Sequence, residues 1–589
     1  MFMQAIPRHR AERLLYFFFI AFTLVFLNVA WVAEDAFITF RAVDNFLKGY
    51  GPVWNVGERV QVYTHPLWYA LLIVGIGLFK HHYWVAIALS YGCLMVTIYL
   101  LLKIAKSAAS IAQVVIALSV LLLSRAFMDY SSSGLENPLL HLLLAIYVLV
   151  AIRQQDAAKR FLHTSLIYSF IFLTRPDGIF IITPASLWML WQAKQQSGWK
   201  RTLKLAAIAA STALAWEAFS LIYYGSLVPN TALAKVNIDY PRAVLLVQAK
   251  NYFIFNLQKD PITLGMVFLS FVLVWLNKRT LPKLLMAGVA LQMLYICYVG
   301  ADYMLGRFLS PSVLVAAMVF MLLEFRAMQW RRFVIGAGCG LACILFPAQF
   351  PYNIKSNPDF HFNFSEIDLR PGFGFADERG FYYQSLGVLP VVMRRHGNAY
   401  THAFANGYSF WRNAGTPNIG IGCVVGMGPW AVGEQPYWID VFALTEPYLA
   451  RLPARTGQRT GHYVRAFPKG YLETLVTGIN NFADSTLAEL YDDVALVVRG
   501  KMWSHARWKA ILRLNSGYYK DYIFENFERD AANPWKKVIP GAYRHEEYDR
   551  VFNDYLGESF DAELLGHLFA LPLAVPPAFS PFINNHTER

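Results

Sequence analysis

Cysteine is scarce in this chain, with five among 589 residues. Cys93, Cys297, Cys339 and Cys343 lie in apolar runs and only Cys423 falls in polar sequence. Neither a disulfide framework nor a thiolate metal site follows from that distribution. Charge is scarce too: Asp, Glu, Lys and Arg supply 15% of the residues, against about 25% in ordinary soluble domains. No low-complexity tract and no internal repeat is present, which sets aside solenoids and disordered linkers. What the chain has instead is apolar sequence, 56% hydrophobic and 16% aromatic, with positive mean hydropathy. That composition describes a polytopic α-helical membrane protein. A net charge of +13 invites a nucleic-acid reading, but Lys and Arg fall in short clusters between apolar runs. Such spacing is a topology signal of an inner membrane, and no nucleic-acid partner is expected.

Arg8, Arg10 and Arg13 precede the first apolar run, about 14–33, which reads as a retained helix with a cytoplasmic N-terminus. Further spans are expected near 83–102, 108–124, 138–152, 161–174, 178–192, 204–222, 261–276, 283–299, 308–323 and 332–347. Basic clusters then share one side: Lys103 with Lys106, Lys159-Arg160, Lys194 to Lys204, Lys278-Arg279 and Arg331-Arg332. The partition holds only if Pro66–Phe79 lies along the interface rather than crossing, since it is shorter than the ~20 residues a span prefers. The expected fold is therefore about 11 transmembrane helices followed by a soluble periplasmic α+β domain. From about Phe350 apolar runs give way to Gly, Pro, Asn, Asp and Trp. Val424–Gly428 and Tyr437–Val441 suggest strands there, and Thr486–Val498 and Ser504–Leu514 suit helices.

The outward loops carry the polar chemistry. Glu34-Asp35 stand at the mouth of the first helix, where stripping a carboxylate of water costs several kcal/mol. Asp35 is the leading catalytic candidate, with Glu34 beside it; both also suit the cap of a short interfacial helix. His65 precedes a helix-starting Pro66 and reads equally as a turn residue. Arg175-Pro176-Asp177-Gly178 is either part of a site or a salt-bridged turn, and Asp302 with Arg307 either a functional pair or a local ion pair. Lys235 is a solvated helix-entry residue or a point charge for a lipid phosphate. Arg41, His65, Lys235 and Arg307 are the candidate phosphate ligands, with Asp302, Glu136, Arg175 and Asp177 in support. In the C-terminal part Trp411, Trp430, Tyr437, Trp438 and Tyr463 either stack on sugar rings or pack in a core. No cofactor is called for, and no His, Cys or carboxylate group has metal-ligand spacing. Carboxylates, outward cations and a lipid-facing cavity suit transfer of a group from a polyprenyl phosphate to a hydroxyl.

The order of pieces resembles that of the GT-C glycosyltransferases, and the motifs look closest to arabinofuranosyltransferases of the AftB type and their Gram-negative relatives. The residues behind the resemblance are Glu34-Asp35-Ala36-Phe37-Ile38-Thr39-Phe40-Arg41, Val53–Val60, Tyr63-Thr64-His65-Pro66-Leu67-Trp68 and Gly134-Leu135-Glu136-Asn137. Thr174–Gly178, Tyr223–Gly225 with Val228–Thr231, Gly300–Met304 with Gly306–Phe308, Asp440–Pro447 and Gly461-His462 extend it to about Leu475. The family often has two Asp where this chain has Glu34-Asp35, and Thr where it has Asn137.

The resemblance implies a transmembrane catalytic domain over 1–349, whose outward loop 34–82 holds the interfacial helix 66–79, and a periplasmic domain over 350–589. It also implies catalysis by Asp35 and a polyprenyl-phosphate pentofuranose donor; the aromatic content of the C-terminal part adds the expectation of a glycan or glycoprotein acceptor near Trp438, Asp440 and His462. The setting is the bacterial inner membrane. Two alternatives are a non-catalytic partner of a motility or envelope machine, which would not need Asp35, and a transporter. A transporter calls for mid-helix charges and often repeated halves.

Overall fold

A computed structural model describes residues 8–105, 110–324, 375–393, 419–422, 425–434, 437–456, 458 and 460–531. The expected span 332–347 and Trp411 lie outside the described residues, as do Cys339, Cys343 and Cys423. The chain is mostly helical. Its first half runs α1 Arg8–Val29, α2 Glu34–Leu47, α3 Pro66–Phe79, α4 His82–Ala105, α5 Ile111–Leu123, a short α6 Arg125–Asp129 and α7 Asn137–Arg153. Then come α8 Ala157–Thr174, α9 Ile179–Tyr223, α10 Asn230–Val236, α11 Arg242–Lys259, α12 Pro261–Val274, α13 Thr280–Val299 and α14 Ser310–Leu322.

Among the described residues three helices are long and apolar enough to cross a membrane, or up to four if α11 and α12, bent by 108° at Asp260, count as one. The other apolar helices, such as α5 and α14 with 13 residues each, fall short of the usual length.

α9 contains the two expected spans 178–192 and 204–222. Gly198, with φ +72° and ψ 165°, interrupts it, in a region where only glycine sits without strain. Side-chain bonds show the chain reversing there. Arg160 reaches Gln192 at 2.8 Å and Tyr168 meets Thr183 at 3.1 Å, so α8 and the first half run antiparallel. Ser169 reaches the Ala209 carbonyl at 2.7 Å, so the second half returns alongside α8.

α3 has the bounds read from sequence, opened by Pro66 at its first position, where no N–H partner is needed. α11 is a helix that the sequence did not announce. Its Gln248, Lys250, Asn251 and Asn256 break every apolar run, yet Leu245, Ala249 and Tyr252 face inward at helical spacing.

The C-terminal part shares one core with these helices. The helix Glu378–Leu386 returns to α1: Val32 N–H donates to the Leu386 carbonyl at 3.2 Å and Val388 N–H to Ala30 at 2.8 Å. Arg125 and Arg379 tie α6 to it, pairing with Asp377 at 2.5 Å and Asp129 at 2.6 Å. The strands β1 Ile419–Gly422 and β2 Tyr437–Asp440 form a two-stranded parallel sheet, Ile419 opposite Tyr437.

Over its described part, 425–428, the expected strand 424–428 is not formed. Met427–Val432 is a short helix instead, because Pro429 cannot join a ladder and the N–H groups of Gly426 and Met427 turn to the Glu34 carboxylate. The helices Ser485–Arg499 and His505–Ser516 sit close to expectation, capped by Asp484 and Ser504.

α13 crosses α9 at Gly288, where an added Cβ would strike the Ile181 backbone carbonyl. Gly288→Leu should therefore lower stability by at least about 1–3 kcal/mol, seen as a lower melting temperature in detergent. An unchanged melting temperature would show that this crossing is misplaced.

Candidate active site

Four separate loops meet at one end of the helices. Glu136, just before α7, is the centre: its side chain is 2% exposed and lies among three cationic or ring nitrogens. Arg307 Nη2 is 3.4 Å away, Arg175 Nη1 3.6 Å and His65 Nδ1 3.4 Å. Burial alone would raise the Glu136 pKa, but Arg307, His65 and Arg175 outweigh it and hold the group at about 2. Burial opposes the charge on Arg307, while Glu136, Asp302 and Asp35 more than offset that, so its pKa lies above the ordinary value. Both partners stay charged.

Asp35, in the first turn of α2, is the outermost acid of the chain Asp35–Arg307–Glu136–Arg175–Asp177. Its Oδ2 lies 3.6 Å from Arg307 Nη1, and its side chain is 25% exposed. That separation is an ion pair without a hydrogen bond, leaving the carboxylate free to bond elsewhere. Burial raises the Asp35 pKa, opposed by Arg307 and Lys235 and reinforced by Asp302 and Glu136. At the other end Arg175 Nε donates to Asp177 Oδ1 at 2.9 Å, and Gln292 Nε2 donates to Asp177 Oδ2 at 3.0 Å.

Asp302 lies in the turn after α13 and is buried; its Oδ1 accepts from Tyr303 N–H at 2.8 Å, and its Oδ2 has no hydrogen-bond partner among the described residues. Lys235 is exposed near the end of α10. That helix is clamped by the C-terminal part. Asn230 donates to the Ala443 carbonyl at 2.9 Å, and the buried Arg465 donates to the Ala234 carbonyl at 2.6 Å.

His65 is buried and its two nitrogens are engaged, Nε2 with Thr39 Oγ1 at 3.0 Å and Nδ1 toward Glu136. Burial lowers its pKa, opposed by Glu136, and its nitrogens are already engaged within the protein.

Three further expectations are corrected. Arg41 is not in the cluster. It is 2% exposed, lies over the Trp54 ring with its CZ 4.6 Å from the centroid, and donates to the Trp54 carbonyl at 3.0 Å and to that of Pro429. Burial lowers its pKa to about 9, and these two bonds hold backbone. Glu34 likewise holds backbone: Oε1 accepts from Gly426 N–H at 2.5 Å and Met427 N–H at 3.0 Å. Burial, then the Asp35 charge, pushes its pKa up to about 8, a neutral acid at pH 7. Trp438 is 1% exposed and has no open face for a sugar ring.

Asp440 is fully buried and accepts from Phe442 N–H at 2.9 Å and Thr445 N–H at 3.0 Å, its pKa pushed up to about 6 by burial. The His462 ring lies 4.3 Å from that of Tyr303, next to Asp302. Sequence reasoning missed Gln292, though a polar residue in the apolar run of α13 was a signal. It also gave no role to Asn137, whose Nδ2 bonds Ser310 Oγ at 2.9 Å and the Arg307 carbonyl at 3.3 Å. Among the described residues no group of three or more His, Cys, Asp or Glu could hold a metal ion.

An acid beside a cation stands at the mouth of a helical, apolar scaffold, and the chain is similar to several known proteins. Over 221 residues the chain is 31% identical to the terminal beta-(1->2)-arabinofuranosyltransferase of Mycobacterium tuberculosis, covering 35% of each. Over 244 residues it is 28% identical to the Corynebacterium glutamicum protein of the same description, covering 36% of this chain and 34% of that one. The chain spans about a third of the length of the curated relatives it matches. No family model matches.

Two solved structures are also similar. The arabinosyltransferase EmbB of Mycobacterium smegmatis has TM-score 0.35 and 13% identity, over 55% of this chain and 31% of that one. ArnT of Cupriavidus metallidurans, bound to undecaprenyl phosphate, has TM-score 0.44 and 10% identity, over 72% and 85%. The functional reading rests on the sequence likeness and on the site.

Glu34 gives a direct check. Glu34→Gln keeps an acceptor for both N–H groups and should leave stability within about 0.5 kcal/mol, whereas Glu34→Ala strands two buried donors at about 1–3 kcal/mol each. The raised pKa adds a pH signature. The folded chain holds a proton that the unfolded chain releases, so this contribution is full below about 4.5 and is lost as pH rises through about 8. Glu34→Gln should remove that slope; denaturation curves at several pH values decide it, and an unchanged slope would contradict the assignment.

Proposed function

We propose that this chain is a membrane glycosyltransferase that moves arabinofuranose from a polyprenyl-phosphate donor to a glycan or glycoprotein acceptor. The observation that carries the reading is Asp35, the most exposed carboxylate of the cluster, held 3.6 Å from Arg307. The likeness to arabinofuranosyltransferases supports arabinofuranose as the sugar. In the reaction the bond from the anomeric carbon to the phosphate oxygen breaks, and a bond to the acceptor hydroxyl oxygen forms. Asp35 takes the hydroxyl proton, while Arg307 and Lys235 stabilise the departing polyprenyl phosphate. Glu136, with His65 and Arg175 around it, orients Arg307.

The site end of the helices faces the periplasm and the basic loops face the cytoplasm, in accord with the positive-inside rule. The transmembrane catalytic domain covers 1–349 with α3 along the interface, in a scheme of about 11 spans. Residues 350–589 form the periplasmic part, which meets the acceptor through the side that carries His462.

Asp35→Asn preserves size and hydrogen bonding but removes the charge. It should fold normally and lose about 10²–10⁴-fold in transfer, measured with purified protein and synthetic polyprenyl-phosphate arabinofuranose. Near-normal transfer would sink the assignment. Transfer needs ionised Asp35, so the rate should climb as pH rises through its raised pKa. Arg307 restrains that rise, so Arg307→Gln should move the acidic limb to higher pH in a rate–pH profile. A limb that stays put would mean that another group titrates.

A further inference from the structure

The helix His505–Ser516 presents a face that nothing in the site uses. Trp503 is 73% and Leu512 71% exposed, and Trp508 lies between them with its ring 6.3 Å from that of Trp503. His505, Trp508, Lys509 and Leu512 share this face at helical spacing, with Lys501 just before it. The helix contains no acid. The nearby acids Glu489 and Asp493 both pair with Arg513.

Two bonds fix its position, one from the opposite face and one from the last turn. Arg507 Nη2 donates to the Tyr223 carbonyl at 2.9 Å, and Asn515 Nδ2 donates to the Gly225 carbonyl at 2.9 Å. The helix is thus bolted to the end of α9, whose apolar side chains Leu203 and Leu214 are exposed and Ile208 and Phe219 partly so. Leu227 and Val228, exposed just past that end, continue the apolar surface.

We propose that Trp503, Trp508 and Leu512, flanked by Lys501 and Lys509, dock the C-terminal part onto the outer surface of the bilayer and favour anionic lipid headgroups. Tryptophan rings settle at the headgroup level because one edge is apolar and the other donates a hydrogen bond. Lysines beside them reach the phosphates. An interfacial helix of this kind has apolar residues on one side of a cationic face, and its surroundings place it where a spanning helix ends. This assignment rests on α9 crossing the membrane and is independent of the sugar-transfer reading. Its consequence is mechanical: the segments that clamp α10 and carry His462 are held at a set height above the bilayer.

The test uses the full chain with its five cysteines replaced by alanine and a single cysteine at position 503 or 512 carrying an environment-sensitive nitrobenzoxadiazole dye. The protein is reconstituted in phosphatidylcholine vesicles with or without phosphatidylglycerol. The docked helix should show blue-shifted emission, quenching by lipid-borne nitroxide and shielding from acrylamide. Phosphatidylglycerol should strengthen these effects, and Lys501→Ala or Lys509→Ala should weaken that preference about five-fold each, the worth of one basic residue near an anionic surface. Full access to acrylamide without nitroxide quenching would overturn the proposal. Shielding from both quenchers would overturn it too, in favour of a covering protein. Both positions are exposed, so the substitutions leave packing intact, and a transfer assay on the same vesicles reports separately on the catalytic reading.

Discussion

Taking the Glu136 carboxylate out of water costs several kcal/mol, and the structure offsets that cost only by bringing Arg307, Arg175 and His65 around it. Each comes from a different loop: Arg307 from the turn before α14, Arg175 from between α8 and α9, His65 from ahead of α3. Closing on one buried acid forces those loops together, and Asp35 is presented at their edge. Removing Glu136 would leave two guanidinium groups buried without their common partner, a change of about 3–5 kcal/mol in comparable cases. The same carboxylate thus serves both folding and the placement of Arg307.

A second set of contacts connects the helices to the C-terminal part. Glu34 holds the N–H groups of Gly426 and Met427, Arg41 holds Pro429, and Asn230 and Arg465 clamp α10. Residues next to Asp35 along α2 therefore act as the frame on which it stands. Adjacent acids in one motif have separate duties because their surroundings differ. Glu34 is enclosed and neutral at pH 7, while Asp35 is partly open and faces a cation.

Much of this was legible in the sequence where local chemistry decides. Pro66 marks the start of α3, and its apolar run ends at Phe79, so its bounds could be read without the fold. The acids and bases at helix mouths signalled the cluster, since Glu34-Asp35, Gly134–Asn137, Thr174–Gly178 and Gly300–Arg307 all fall between apolar runs. The pairings were not legible. Glu34 meets Gly426 across 392 positions, and Arg41 meets Pro429 across 388, and no local pattern encodes such contacts. Within one motif, therefore, the sequence does not separate a carboxylate or guanidinium that bonds backbone from one that faces a cation. α11 escaped for another reason: its inward face mixes Leu245 and Ala249 with Gln248 and Asn256, which blurs the apolar period.

The central claim is that the Glu136-centred cluster holds Arg307 and Asp35 as a donor-phosphate and acceptor-activating pair. A cryo-electron microscopy map of the full chain with a non-hydrolysable polyprenyl-phosphonate arabinofuranose tests it most directly. The account predicts the phosphonate within hydrogen-bond distance of Arg307, with the anomeric carbon beside the Asp35 carboxylate. A sugar head group bound away from both residues, with the cluster unchanged, would contradict it.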